Sequence, residues 1–310
     1  MARPWRPGGA FGRRTCSCEM LRFHEWIVFT ALGGCLVPAA TAAQAPSAAK
    51  GKRMTASEFD HLFKTKDWTA VEISQQTGPP MVPYVEPYLS NQDELIRLLA
   101  VDCIAAAGGP RAPELLIKAL RDKNEQVRIN AVNALHKQLP VGRGAELMAA
   151  FTMDQTRDAY VRQQIPMILG RMQAREFLAP LKARIADSRQ DVKDGIIAGA
   201  SKMGDGDARS AFGEMLRAAR GQLTAELIEY VKYLDEPWVI PLLVPALQRR
   251  DLAVDLSTHR TEVRRRDCDL AVDEVMRISN VRFSFAMNPL AQYTEPQVNE
   301  VLRYAQAQPR

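Results

Sequence analysis

Residues 120–139 read LRDKNEQVRINAVNALHKQL, and this stretch decides the fold. Val127, Ala131, Ala134, Leu135 and Leu139 fall at i, i+4, i+7, i+8 and i+12, one apolar stripe at helical period. Asp122 and Asn124 supply turn and cap chemistry before the stripe begins, and Arg128 sits beside it. Upstream, PELLIKAL from Pro113 to Leu120 predicts a shorter helix with proline at or near its first turn. A helix, a tight polar turn and a second helix make a unit that cannot bury both apolar faces alone. It must stack on copies of itself.

The copies lie on both sides. Aligned on the first apolar residue of each second helix, Ile96, Val127, Val161, Val192 and Leu223 each open the same stripe, at steps of 31, 34, 31 and 31 residues. A basic residue follows the first four anchors, as Arg97, Arg128, Arg162 and Lys193. A near-constant period of helix pairs is the signature of an α-solenoid, whose open ends need capping. Thr55-Ala56-Ser57-Glu58 reads as a capping box opening a helix with Phe59, Leu62 and Phe63 on one side. A second short helix follows from Asp67, with Trp68 expected as a core anchor of this N-terminal cap.

The run Asp122-x-x-x-x-Val127-Arg128-x-x-Ala131-x-x-Ala134-Leu135 resembles the HEAT repeat, in the short PBS-lyase-like variety with armadillo-type helix pairs. Asn91 with Arg97 and Asp187 with Lys193 keep the same spacing, whereas Thr156 stands there in the third unit. The resemblance covers about 80–280 and implies an all-α, right-handed α-solenoid of about six helix pairs with capping helices at both ends. It further implies an inter-repeat ladder of turn acid and arginine, placed here on Arg97, Asp122, Arg128, Arg162, Asp187 and Lys193. The fifth unit departs from the pattern, with Thr224 where the arginine should be.

The implied organisation is a leader over 1–42, a linker over 43–53, cap helices over 54–80, the repeats over 81–280, and a C-terminal lid with a capping helix over 281–310. In the leader, Arg22 precedes the apolar run from Trp26 to Val37, Pro38 breaks it, and Ala40-Thr41-Ala42 offers a cleavage site. That is the layout of a secretory signal peptide, with Met20 a candidate true start. Leu32-Gly33-Gly34-Cys35 also resembles a lipobox, which makes Cys35 a candidate lipidation site and lipid anchor. Export to the periplasm or envelope is the expected localisation, with no transmembrane helix after processing.

Charge follows the same division. The formal charge is +5, but residues 1–53 carry eight basic and two acidic residues, and 54–310 carry 33 and 34. A near-neutral body argues against a nucleic-acid partner. Of four histidines, His61, His136 and His259 fall in different units, and no C-x-x-C, H-x-x-x-H, G-x-S-x-G or P-loop spacing occurs. Deoxyhypusine hydroxylases, built from HEAT repeats, hold iron with several His-Glu pairs; the one His-Glu here is His24-Glu25, which sets that class aside. Phycobilin lyases and alkylpurine DNA glycosylases also use this repeat type, and export argues against both. Cys103 and Cys268 fall on apolar stripes several units apart, as buried free thiols.

The period fails after Leu247. The extra length lies in QRRDLAVDLSTHRTEVRRR, Gln248 to Arg266, expected as a surface loop and the binding face. Arg249, Arg250, His259, Arg260, Arg264, Arg265 and Arg266 gather there as the candidate site for an acidic protein surface or another anion. The expected function is a non-enzymatic exported scaffold with an unidentified protein partner, no cofactor and no metal. A HEAT-built enzyme or cofactor-handling protein, and a nucleic-acid-binding HEAT module, are the alternative readings.

N-terminal sequencing of the native protein should return a chain starting near Ala43, or one blocked by lipid at Cys35. Recovery of Met1 or Met20 would contradict the export reading.

Overall fold

Each helix pair begins where the sequence places a cap and ends where the apolar stripe runs out. The computed structural model describes residues 56–152, 159–186, 188–255, 257 and 263–309. Every described residue belongs to one compact unit. The leader and linker, Cys35, Thr156, Asp187, His259 and Arg260 lie outside the described residues.

The order begins with α1 (Ala56–Thr65) and α2 (Thr69–Thr77), then a 3-10 turn, the short α3 (Val82–Val85) and a second 3-10 turn at Glu86–Ser90. There follow α4 (Glu94–Ala107), α5 (Ala112–Ala119), α6 (Glu125–Lys137), α7 (Gly144–Thr152), α8 (Ala159–Arg171), α9 (Leu178–Ala183), α10 (Gln190–Lys202), α11 (Gly206–Ala218) and α12 (Gln222–Leu234). A 3-10 helix at Pro237–Leu243 leads into α13 (Val244–Leu247), and a β-hairpin separates it from α14 (Asp267–Ser279) and α15 (Glu295–Gln306). The second helices of the pairs are α4, α6, α8, α10, α12 and α14. Among the described residues this makes six pairs in an all-α, HEAT-like stack, with the hairpin as its β element.

Local chemistry sets the boundaries. Asp93 caps α4 by accepting from Leu95 N, and Asn124 caps α6 by accepting from Val127 N at 3.1 Å. Pro113 sits in the first turn of α5, where its missing N–H leaves no helical bond unmade. Thr294 and Gln297 form a reciprocal capping box at the start of α15. Val127, Ala131, Ala134 and Leu135 are all buried, so the stripe in α6 packs in the phase its spacing predicts.

Adjacent pairs are tied by charge at the turn. Arg97 of α4 is buried and grips Asp122, in the turn before α6, through Nε at 2.7 Å and Nη2 at 2.9 Å. Its Nη1 donates to the carbonyls of Asn91 and Gln92, closing the turn before its own helix. Burial opposes ionisation of Asp122, but Arg97 and the Asn124 amide outweigh it and hold the carboxyl below its ordinary range. Arg128 repeats the inward pose and donates to the Asp122 carbonyl at 2.6 Å. Arg162 is buried against Phe151, with its guanidinium 5.3 Å from the ring centroid. Lys193 is half-buried near the start of α10.

The middle of the stack is tighter than its ends. Residues 164–170 of α8 and 195–201 of α10 are buried without a break, as in a helix covered on every side. Glycine makes the approach possible: a Cβ on Gly195 would lie 2.3 Å from the Gln163 carbonyl oxygen, and one on Gly199 2.2 Å from that of Pro166. Tyr233 of α12 crosses the same region to donate to the Met167 carbonyl at 2.8 Å, and Gln163 donates to Tyr230 Oη. The second helices α8, α10 and α12 are therefore in direct contact through this region.

Two expectations need correction. Trp68 is 45% exposed rather than a core anchor; Phe59, Phe63 and Ala70 fill the cap core, and Phe63 stacks on Tyr88 at 3.9 Å. The segment after Leu247 is not wholly loop. Leu252–Asp255 (β1) and Arg264–Arg266 (β2) pair antiparallel, with an irregularity between Leu252 and Val254.

The glycine contact yields a signed prediction. In an open helix Gly→Ala gains about 1 kcal/mol from backbone entropy. At Gly199 the added methyl meets a backbone carbonyl, so Gly199→Ala should instead cost about 1–3 kcal/mol in denaturant unfolding. A raised midpoint would show that α8 and α10 do not touch there.

Candidate functional site

The arginine-rich segment after α13 turns inward. Arg265, on β2, is 1% exposed. Its Nη2 donates to Asp273 Oδ2 at 2.6 Å and to the Asp269 carbonyl at 2.9 Å, and its guanidinium lies 5.6 Å from the Tyr293 ring centroid. Tyr293 Oη donates to the other oxygen of Asp273 at 2.6 Å and accepts from Asn288 N. Burial pushes the Asp273 carboxyl above its ordinary range even against Arg265. Arg266 takes Asp269 through Nε at 3.0 Å and Nη2 at 2.9 Å, and donates to the Tyr293 carbonyl at 2.6 Å.

The neighbouring arginines are engaged as well. Arg250 holds Glu295, at the start of α15, with two bonds of 2.8 and 2.6 Å. Arg249 donates to the carbonyls of Leu216, Arg217 and Ala219, the unpaired C-terminal end of α11. It also lies 3.7 Å from the buried Asp267, which adjoins Thr224. Arg250 and Arg264 are the exposed members of the set, and Arg264 lies 3.4 Å from Asp255.

Of the guanidinium groups expected to face solvent, Arg265 is buried, Arg249 and Arg266 are half-buried, and Arg250 and Arg264 are exposed. Arg249, Arg250, Arg265 and Arg266 clamp the hairpin, α14, the strap over 281–294 and α15 to one another. Each is bonded within the fold, and these polar bonds add to the packing of Phe283, Phe285 and Tyr293 of the strap.

An open surface exists elsewhere, on the second helices α4 and α6. On α4, Leu95, Leu98 and Asp102 recur at i, i+3 and i+7; on α6, Gln126, Asn130 and Asn133 recur at i, i+4 and i+7. Asn130 Nδ2 donates to Asp102 Oδ1 at 2.8 Å and its Oδ1 accepts from Gln126 at 2.8 Å. Tyr160 of α8 donates to Asn133 at 2.8 Å, where the row begins to close. His136 is half-buried, 2.8 Å from Gln164 Oε1, and burial beside Arg171 pushes its pKa down to about 4. Burial thus favours its neutral form. Helix periodicity alone could have marked the Gln126, Asn130 and Asn133 stripe, since three uncharged polar residues on one face are unusual for a solvated helix.

Other features offer less chemistry. A shallow, open cleft of about 400 Å3 lies between the turns at Gly109-Pro110 and Pro140-Val141, and its Arg143 is engaged by Glu114 and Glu146. Cys103 and Cys268 are free and buried, and burial pushes their thiols up to about 12 and about 11. Among the described residues no group of three or more His, Cys, Asp or Glu side chains is placed to hold a metal. Nor is any described helix long and apolar enough to cross a membrane.

The clamp makes opposite predictions for adjacent residues. Arg265→Ala leaves Asp273 buried without its cation and should cost about 3–5 kcal/mol. Arg264→Ala should stay within about 0.5 kcal/mol. Equal effects in urea unfolding would contradict the clamp.

The family model for HEAT repeats matches residues 64–142, which span α2 to α6 and include the Arg97–Asp122 bridge. No match to the chain was found among curated protein sequences. Among solved structures, the chain is similar to one from the complex of CpcE and CpcF of phycocyanin lyase from Nostoc sp. PCC7120. The identity is 10% and the TM-score 0.49, over 86% of this chain and 100% of that one. It is also similar to human deoxyhypusine hydroxylase in complex with glycerol, at 15% identity and a TM-score of 0.37, over 76% of this chain and 96% of that one. Residues 64–142 thus match HEAT repeats, and the helix pairs after them continue the same all-α arrangement.

Proposed function

We propose that the protein is a non-enzymatic scaffold that binds a protein partner on the α4 and α6 face, and that it acts after export to the cell envelope. One observation carries the binding reading. The second helices α8 and α10 are buried without a break over 164–170 and 195–201, whereas α4 and α6 present a half-exposed polar row in which Gln126, Asn130 and Asp102 bond one to the next. Half-exposed amides keep donor and acceptor capacity for contact with a partner.

The chemistry of the nucleophile and base candidates supports a non-catalytic role. The two described thiols are held protonated by burial, and His136 is held neutral and hydrogen-bonded within the stack. The localisation rests on the leader, whose apolar run and Ala-Thr-Ala site fit export.

Photo-crosslinking side chains placed at Gln126 and Asn133 test the binding reading in intact cells. Discrete protein adducts should form at both positions and not at Glu214, on the exposed face of α11. Absence of adducts at Gln126 and Asn133 would contradict it.

A further inference from the structure

Four described carboxylates are pushed above their ordinary pKa range with burial as the leading cause: Asp102, Asp267, Asp273 and Glu274. Three have an arginine beside them. Asp273 faces Arg265 at 2.6 Å, Glu274 faces Arg277 at 2.7 Å, and Asp267 has Arg249 at 3.7 Å. Asp102 differs. Its one hydrogen bond is from the neutral amide of Asn130, and the nearest cation felt there, Lys137, acts only through space. A half-buried carboxylate with one amide donor and no ion pair is an under-compensated charge.

Its surroundings set the kind of group that would balance it. Leu98 and the 46% exposed Leu95 precede Asp102 on the same stripe of α4. Across the interhelix groove, Asn130 spends its amide N–H on Asp102 and its oxygen on Gln126, leaving further acceptor capacity on the carboxylate itself. A side chain that fits must be long and apolar along its stem, to lie on Leu95 and Leu98, and cationic at its tip.

We propose that the α4 and α6 face receives a partner segment carrying an arginine or lysine whose charged end pairs with Asp102, flanked by apolar residues that cover Leu95 and Leu98. This inference rests on the scaffold reading above and adds the chemistry of the partner. It also explains why an acid sits mid-helix in an otherwise apolar run: Asp102 is kept for contact at some expense to the fold.

The test uses the full chain and a fluorescent peptide of alternating leucine and arginine, read by anisotropy. A citrulline version, neutral but of the same shape, is the control. Asp102→Asn should weaken the arginine peptide more than ~tenfold, leave the citrulline peptide unchanged, and leave the thermal midpoint equal or raised. Asn130→Lys, which supplies an internal cation, should block the peptide in the same way while preserving the fold. Glu214→Gln, on a distant exposed surface, should change nothing. Binding that survives both Asp102→Asn and Asn130→Lys overturns the proposal, as does binding that Glu214→Gln weakens equally. Crosslinks at Gln126 that persist in that case leave the scaffold reading standing, whereas their absence sinks both.

Discussion

A helix pair with apolar side chains on two faces is insoluble by itself, and every other feature of this chain follows from relieving that constraint. Stacking buries the faces, but stacking alone does not fix the register between one pair and the next. The Arg97–Asp122 bridge does. It joins a helix of one unit to the turn of the next, and the same guanidinium closes the turn before its own helix. A buried arginine with four bonds is satisfied only when both turns are in place, so the charge pair couples neighbours that apolar contact would leave free to slide.

The same logic accounts for the two ends of the second-helix row. In the middle, Gly195 and Gly199 let α10 meet α8 backbone to backbone, and Tyr230 and Tyr233 fill what space is left. Over 164–170 and 195–201 these helices are buried without a break. Toward the N-terminal end the helices carry amides and Asp102 where glycine and tyrosine would otherwise stand. The C-terminal end needs a different solution, because the strap over 281–294 cannot offer an apolar stripe. Aromatic contacts among Phe283, Phe285, Tyr293 and Tyr304, with the arginine clamp beneath them, take its place.

Periodicity made much of this legible. The stripes at Val127, Val161 and Val192, the turn chemistry at Asp122 and Asn124, and the capping box at Thr294 are local signals, and the structure forms them locally. What the sequence hides is orientation outside a regular helix. Arg264, Arg265 and Arg266 read as one charged run, yet on a strand alternate side chains point opposite ways, so Arg265 is buried and Arg264 is not. The hairpin itself is short and weakly marked, and only its partner strand gives Leu252-Ala253-Val254 a face to bury. Asp102 is silent in sequence because a lone acid in a helix is ordinary; its meaning comes from Asn130, on the next unit, being its one hydrogen-bond partner. Trp68 misleads for the opposite reason, since its size suggests a core position that Phe63 and Tyr88 already occupy.

The coupling of adjacent repeats through a buried charge pair is the central claim, and a double-mutant cycle measures it directly. Arg97→Ala, Asp122→Ala and the double variant would be compared by urea unfolding of the full chain. Charge-assisted bonds of this kind predict a coupling energy of about 1.5–3 kcal/mol, with the double variant little worse than either single one. Strictly additive losses, within about 0.5 kcal/mol, would contradict the account and leave apolar packing as the sole source of register.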